Sequence, residues 1–126
     1  MSKIMSEKQC TKRIGDEGEN RAADYLVQKG YKIIERNWRT KDGEIDIIAM
    51  ENEVLVFVEV KTLPNASSDM LSSVLGEQKQ KRIVKTAKHF LLKHRQYSNS
   101  YVRFDVIVLD MQDLPPVYHI VNAFME

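Results

Sequence analysis

From Arg13 to Lys29, small and apolar residues return every three or four positions, at Gly15, Gly18, Ala22, Ala23 and Leu26. Glu17, Arg21, Asp24 and Gln28 fall on the opposite side. This is the period of an amphipathic helix, and Gly30 stands where a left-handed C-cap would end it. One charged residue breaks the pattern: Glu19 lies on the inward stripe. Residues 1–12 have no clear period and are expected to form a mobile tail, which leaves 13–126 as a single domain.

Past Gly30 the period shortens. Tyr31–Arg39, Glu44–Met50 and Val54–Lys61 read as strands, with turn signals at Lys41-Asp42-Gly43 and Glu51-Asn52-Glu53 between them. The β-branched run in the third predicts a strand covered on both faces. Residues 62–76 are rich in Pro, Asn, Ser and Asp and predict a long loop. A second helix is predicted over Glu77–His94, with Ile83, Val84, Ala87, Phe90 and Leu91 on one stripe. Val102–Leu109 and Val117–Val121 complete the order α-β-β-β-α-β-β. Two striped helices and a doubly covered strand predict an α/β fold of three layers, a mixed central sheet flanked by helices.

Composition removes several classes of function. The chain has 126 residues, enough for one self-sufficient core. Its one cysteine, Cys10, rules out an intrachain disulfide and a cysteine-built zinc cage. No apolar run is long enough to span a membrane or act as a secretory signal, so a cytoplasmic location with no membrane partner is expected. The net charge of +1 hides an uneven distribution. Lys79, Lys81, Arg82, Lys85, Lys88, Lys93 and Arg95 crowd the second helix against the single acid Glu77. That pattern suits a face that meets phosphate, and equally a solvated helix surface.

The candidate chemistry lies at the end of the third strand. Glu59 and Lys61 are two apart and share a face, after a run that is otherwise apolar from Val54. A tight hairpin about Asn52 sets Asp46 opposite Glu59, with Cβ atoms about 5 Å apart. Lys61 pairing with either acid would explain two of these charges. Glu19, arriving on the inward face of the first helix, adds a third carboxylate, and a net negative pocket calls for a cation. A hard, oxygen-loving ion fits: Mg²⁺, with Mn²⁺ as its substitute, takes one or two carboxylates and fills its shell with water and phosphate. Asp46, Glu59 and the Val60 backbone carbonyl are the expected ligands, with Glu19 as a further one. Lys61 would orient the nucleophile and stabilise charge growing on phosphate oxygens.

The stretches Gly15-x-x-Gly18-Glu19, Asn37-Trp38-Arg39, Gly43-Glu44-Ile45-Asp46 and Phe57-Val58-Glu59-Val60-Lys61 closely resemble the YraN family. Lys79-Gln80-Lys81-Arg82-Ile83, Arg103-Phe104-Asp105-Val106 and Asn122-Ala123-Phe124 continue the match, over roughly residues 13–125. That family is similar to Holliday-junction resolvases and restriction endonucleases of the PD-(D/E)xK type. The resemblance implies a restriction-endonuclease-like domain and an Mg²⁺-dependent endonuclease acting on DNA, branched or structured DNA above all. It makes Glu19, Asp46, Glu59 and Lys61 the catalytic set, and resolvase symmetry adds a homodimer by analogy. Ile45 stands where a bare motif has proline, and Leu63-Pro64-Asn65-Ala66 stands where many relatives carry an arginine. A catalytically weak nucleic-acid-binding module on the same scaffold, or an interaction subunit of a DNA-processing assembly, is the alternative.

Lys79, Lys81, Arg82, Lys85 and Arg39 are the expected nucleic-acid contacts. Trp38, beside Arg39, is expected in core or rim packing more often than on a base. Arg103 and Asp105 share a strand face and are expected to pair. His89, His94 and His119 have no ligand spacing and are expected on the surface or in strands.

Overall fold

The computed structural model describes residues 7–126, with side chains described from Gly15 onward. The elements are α1 (Glu7–Gln28), β1 (Lys32–Thr40), β2 (Gly43–Glu51), β3 (Val54–Thr62), α2 (Glu77–Lys93), β4 (Tyr101–Leu109) and β5 (Val117–Phe124). This is the order expected. The first helix starts at Glu7, earlier than Arg13; residues 1–6 of the expected tail lie outside the described residues. The segment 62–76 carries a 3-10 turn at Ser68–Ser73, and a second one at Arg95–Tyr97 follows α2. Gly30 ends the first helix with φ of 93°, the left-handed cap its position predicts.

The five strands lie side by side in chain order, β1-β2-β3-β4-β5. All neighbours are antiparallel except β3 and β4, which run parallel from Val54↔Tyr101 to Thr62↔Leu109. A parallel pair needs a crossover, and α2 is that crossover. The sheet is therefore mixed and open. Alternation along β3 divides the core. Val56 and Val58 pack with Ala22, Ala23 and Leu26 of α1 on one face. Leu55 and Phe57 pack with Ile83, Ala87 and Phe90 of α2 on the other. Both faces of β3 are dry, as its β-branched run predicts. Phe57 and Phe90 have no exposed surface, and burying each stabilises the fold by about 1.5–3 kcal/mol.

Both edge strands are irregular. In β1 the register slips between Ile33 and Glu35, and Asn37 has φ of 52°. Beside β5 the register slips between Phe104 and Val106, and Asn122 has φ of 54°.

The approach of α1 to the sheet depends on one glycine. A Cβ added at Gly18 would lie 2.6 Å from Thr62 Oγ1 and 3.0 Å from Leu109 Cδ1. Gly18 thus lets the helix settle against the ends of β3 and β4 and brings Glu19 to the sheet. Gly15, expected on the same inward stripe, is exposed: its added Cβ would meet nothing within 4 Å. The helix has passed the end of the sheet there.

Gly18→Ala gains up to about 1 kcal/mol in helix propensity. Overpacking against Thr62 opposes it by about 1–3 kcal/mol. A net loss of roughly 1 kcal/mol is expected in urea unfolding. The double variant Gly18→Ala/Thr62→Ala, which removes the closest clashing atom, should recover it; a stable single variant would show that the helix can shift.

Candidate active site

The β2–β3 ladder runs from Glu51↔Val54 to Ile47↔Val58, and the same register continued by one step sets Asp46 opposite Glu59. There the ladder gives way. The Val60 N–H donates to Asp46 Oδ2 at 2.8 Å in place of a strand carbonyl. On the other side of β2, Arg36 pairs with Ile47 and Trp38 with Ile45, and the intervening Asn37–Asp46 position is skipped. Strict alternation would put Ile45 and Ile47 on one face. Ile47 instead packs with α1 and Ile45 with α2, so the strand twists between them, at Asp46. The left-handed Asn37 opposite provides the matching irregularity in β1.

Glu59 is the acidic residue that this arrangement buries most, with 6% of its surface exposed. Two ammonium groups face its Oε1: Lys79 Nζ at 3.5 Å and Lys61 Nζ at 3.9 Å. Burial, and then the Asp46 charge, push the Glu59 carboxyl up to about 7, while the Lys79 and Lys61 charges act against both. Burial raises Asp46 as well, against the Val60 N–H that favours its charge. Ionising both of two such neighbouring acids is therefore disfavoured.

Glu19 reaches the neighbourhood from α1. Its carboxyl is pushed up to about 7 by burial first and by Asp46 second, while Arg36 acts against both. Glu19 Oε1 is buried without a hydrogen-bond partner, and so is Arg36 Nε. Among the described residues, however, no three Asp, Glu, His or Cys side chains converge closely enough to hold a metal ion. The expected four-residue pocket resolves into a close Asp46–Glu59 pair with two lysines and a nearby Glu19. Charge balance is corrected too. Against Glu19, Asp46 and Glu59 stand Lys61, Lys79 and Arg36, with Glu44 nearby and held by Arg39, so the cluster is far less negative than its carboxylates alone suggest. The sequence reading missed Arg36; its place opposite the inward Ile47 was the available signal.

Of the expected nucleic-acid contacts, Lys79 turns into the carboxylate pair. Lys81 is exposed with only an intrahelical partner, Glu77 at 3.9 Å, and Arg82 is exposed. Lys85 lies 3.5 Å from Asp42 and Arg39 lies 3.1 Å from Glu44, both at the β1–β2 hairpin. His89 also bonds Asp42, at 2.9 Å. Lys88 pairs with Glu126. Half of the basic face is therefore committed to acids. Trp38 packs edge-on against Phe90 with centroids 5.3 Å apart, a core contact.

Arg103 and Asp105 do pair, through two N–H···O bonds of 2.9 Å, but they belong to a larger buried network on the α1 face. Arg103 also donates to Tyr31 Oη at 2.7 Å and to Glu51 at 3.1 Å. His119 Nε2 lies 2.7 Å from Asp105 Oδ2, and the Asn122 N–H donates to Oδ1 at 2.9 Å. Burial opposes the Asp105 charge, yet His119, Arg103 and the Asn122 amide hold its pKa below the usual value. His119 is therefore a buried partner of Asp105, which spacing along the chain did not reveal.

No helix among the described residues is long and apolar enough to cross a membrane. The family model described as "Uncharacterised protein family UPF0102" matches residues 18–109, a span that includes Glu19, Asp46, Glu59, Lys61 and Lys79. A "UPF0102 protein" of Treponema pallidum (strain Nichols) is 49% identical over 118 residues, covering 90% of this chain and 93% of that one. A Treponema denticola protein of the same name is 44% identical over 122 residues, covering 88% and 94%. One from Clostridium botulinum (strain Loch Maree) is 43% identical over 118 residues, covering 91% and 96%.

A carboxyl whose folded pKa is raised contributes stability at low pH and loses it as pH climbs through the folded value. For Glu59 the window runs from its ordinary value of 4.5 to about 7, and Glu19 acts in the same direction. Metal-free protein should melt at progressively lower temperature from roughly pH 5 to pH 8. Glu59→Gln should flatten that slope, and an unaltered slope would place the proton elsewhere. In the second network, Asp105→Ala strands Arg103 and His119 and should cost about 3–5 kcal/mol in chemical unfolding. A loss under about 1 kcal/mol would mean that solvent replaces the carboxylate.

Proposed function

Because the chain belongs to the uncharacterised protein family UPF0102, the YraN family, we propose its activity from the site itself: metal-dependent hydrolysis of phosphodiester bonds in DNA. One observation carries the reading. Two acids, half-buried Asp46 and buried Glu59, face each other at the point where two strands part, with Lys61 on the same face of β3 two residues further on. Two neighbouring acids that resist ionising together form a site that a divalent cation can occupy in place of a proton.

The donors fit Mg²⁺, which uses one or two carboxylates and leaves positions for water and phosphate. Asp46 and Glu59 would hold it. Residues in extended strands direct their N–H and C=O to the same side, so the Val60 carbonyl faces the gap into which its N–H donates. The orphaned Glu19 Oε1 suits a hydrogen bond from a metal-bound water. When bound, the ion supplies Lewis-acid polarisation of the phosphate and a more acidic water. Lys61, one-third exposed, presents its ammonium to the mouth of the site and would stabilise negative charge on the phosphate oxygens. Exposed Lys81 and Arg82, with Lys85 behind them, would lie along the DNA backbone. The restriction-endonuclease-like reading of the sheet and a symmetric dimer that cuts two strands of a junction belong to the same proposal.

A second reading rests on the charge balance. With Lys61, Lys79 and Arg36 already offsetting three carboxylates, the scaffold is also suited to binding DNA with little turnover.

Junction, flap, single-stranded and linear DNA, each incubated with Mg²⁺, Mn²⁺ or EDTA, separate the two. Metal-dependent cutting that Asp46→Ala and Lys61→Ala each reduce by about a hundredfold or more, with DNA binding retained, supports the nuclease. Binding without cutting of any substrate favours the module. In the same binding assays, Lys81→Ala/Lys85→Ala should lower the slope of log affinity against log salt by about one to two units, and an unchanged slope removes α2 from the DNA surface.

A further inference from the structure

Lys79 stands outside the strand motif, in the first turn of α2, yet its ammonium lies nearer Glu59 than that of Lys61, 3.5 Å against 3.9 Å. Both approach the same oxygen, Oε1, while the facing acid Asp46 takes the Val60 N–H. Two ammonium groups on one carboxylate oxygen are more positive charge than Glu59 requires.

The two lysines differ in how firmly they are placed. Lys61 extends from the end of a buried strand. Lys79 is 41% exposed at the start of a surface helix, on a four-carbon stem that reaches outward at little cost. A doubly charged ion bound to Glu59 would lie a few ångströms from Lys79 and repel it. The nearest basic side chains on its own helix, Lys81 and Arg82, are exposed, so the ammonium moves towards a positive surface only if an anion is there to receive it.

Resting on the metal-dependent reading above, we propose that Lys79 is a placeholder cation. It neutralises Glu59 in metal-free protein, leaves when the metal binds, and then contacts a DNA phosphate. The metal site is thereby coupled to the DNA site. Metal binding releases a lysine for the substrate, and bound phosphate keeps that lysine away from the metal's ligand. A merely structural ion pair lends nothing to the substrate, so its loss would weaken the fold and leave DNA affinity unaltered.

The test counts free Mn²⁺ by electron paramagnetic resonance at about pH 8, for the wild type, Lys79→Met, Lys79→Arg and Asp46→Ala. Thermal melts confirm that each variant is folded. Lys79→Met should bind Mn²⁺ about tenfold more tightly than wild type, because a repelling charge is gone. Its DNA affinity in Ca²⁺ should fall several-fold, and Lys79→Arg should restore both values. Equal or weaker Mn²⁺ binding by Lys79→Met overturns the proposal. If Asp46→Ala abolishes Mn²⁺ binding while Lys79→Met matches wild type, the metal site stands and only the placeholder role falls. If neither wild type nor Lys79→Met binds Mn²⁺, both readings fall together.

Discussion

Where the β2–β3 ladder stops, the Val60 N–H is taken by the Asp46 carboxylate rather than by a strand carbonyl, at 2.8 Å. A strand that surrenders one ladder bond to a side chain must twist or part there, and β2 does so between Ile45 and Ile47, which pack on opposite faces. The bond also fixes where the Asp46 carboxylate sits, beside Glu59, where burial raises both acids and the Asp46 charge adds to the rise of Glu59. The remaining parts converge on that point. Gly18 lets α1 close on the ends of β3 and β4, which delivers Glu19. The crossover helix that the parallel β3–β4 pair demands delivers Lys79.

An acid pair in a small domain is unfavourable in proportion to its desolvation, and here Lys61, Lys79 and Arg36 offset it. A second cluster, around Asp105, handles the same difficulty differently. Asp105 keeps its charge because Arg103, His119 and a backbone amide all bond to it, and nothing is left for a ligand to satisfy. Of these two polar clusters, the Asp46–Glu59 group has raised acids and an orphaned neighbour in Glu19 Oε1. That contrast, rather than the count of charges, marks one as a site and the other as a staple.

The order of elements was legible because both kinds of period are clean, and because Gly30 and the Asn52 turn punctuate them. The facing of Asp46 and Glu59 followed from hairpin arithmetic, since one register determines every pair in it. What escaped was contact between distant elements. Lys79 and Arg36 reach the acids from a helix and an edge strand, and no spacing along the chain encodes where their side chains end. Hence the pocket looked negative in sequence and is far less so in space. His119 escaped for the same reason: its partner Asp105 lies on the neighbouring strand, across a register slip. Gly15 misled because helical period continues past the point where the sheet ends.

The irregular edges have a consequence of their own. An open sheet exposes unpaired amides and carbonyls along both outer strands, an invitation to further strands and to fibrous association. Here β1 is interrupted by a slip and the left-handed Asn37, and β5 by a slip and the left-handed Asn122. Neither border offers a straight template to an incoming strand, so the sheet is closed to growth without being closed into a barrel. Two copies of the chain that pair must then meet through helices, loops or a face, and the strand count of each remains five.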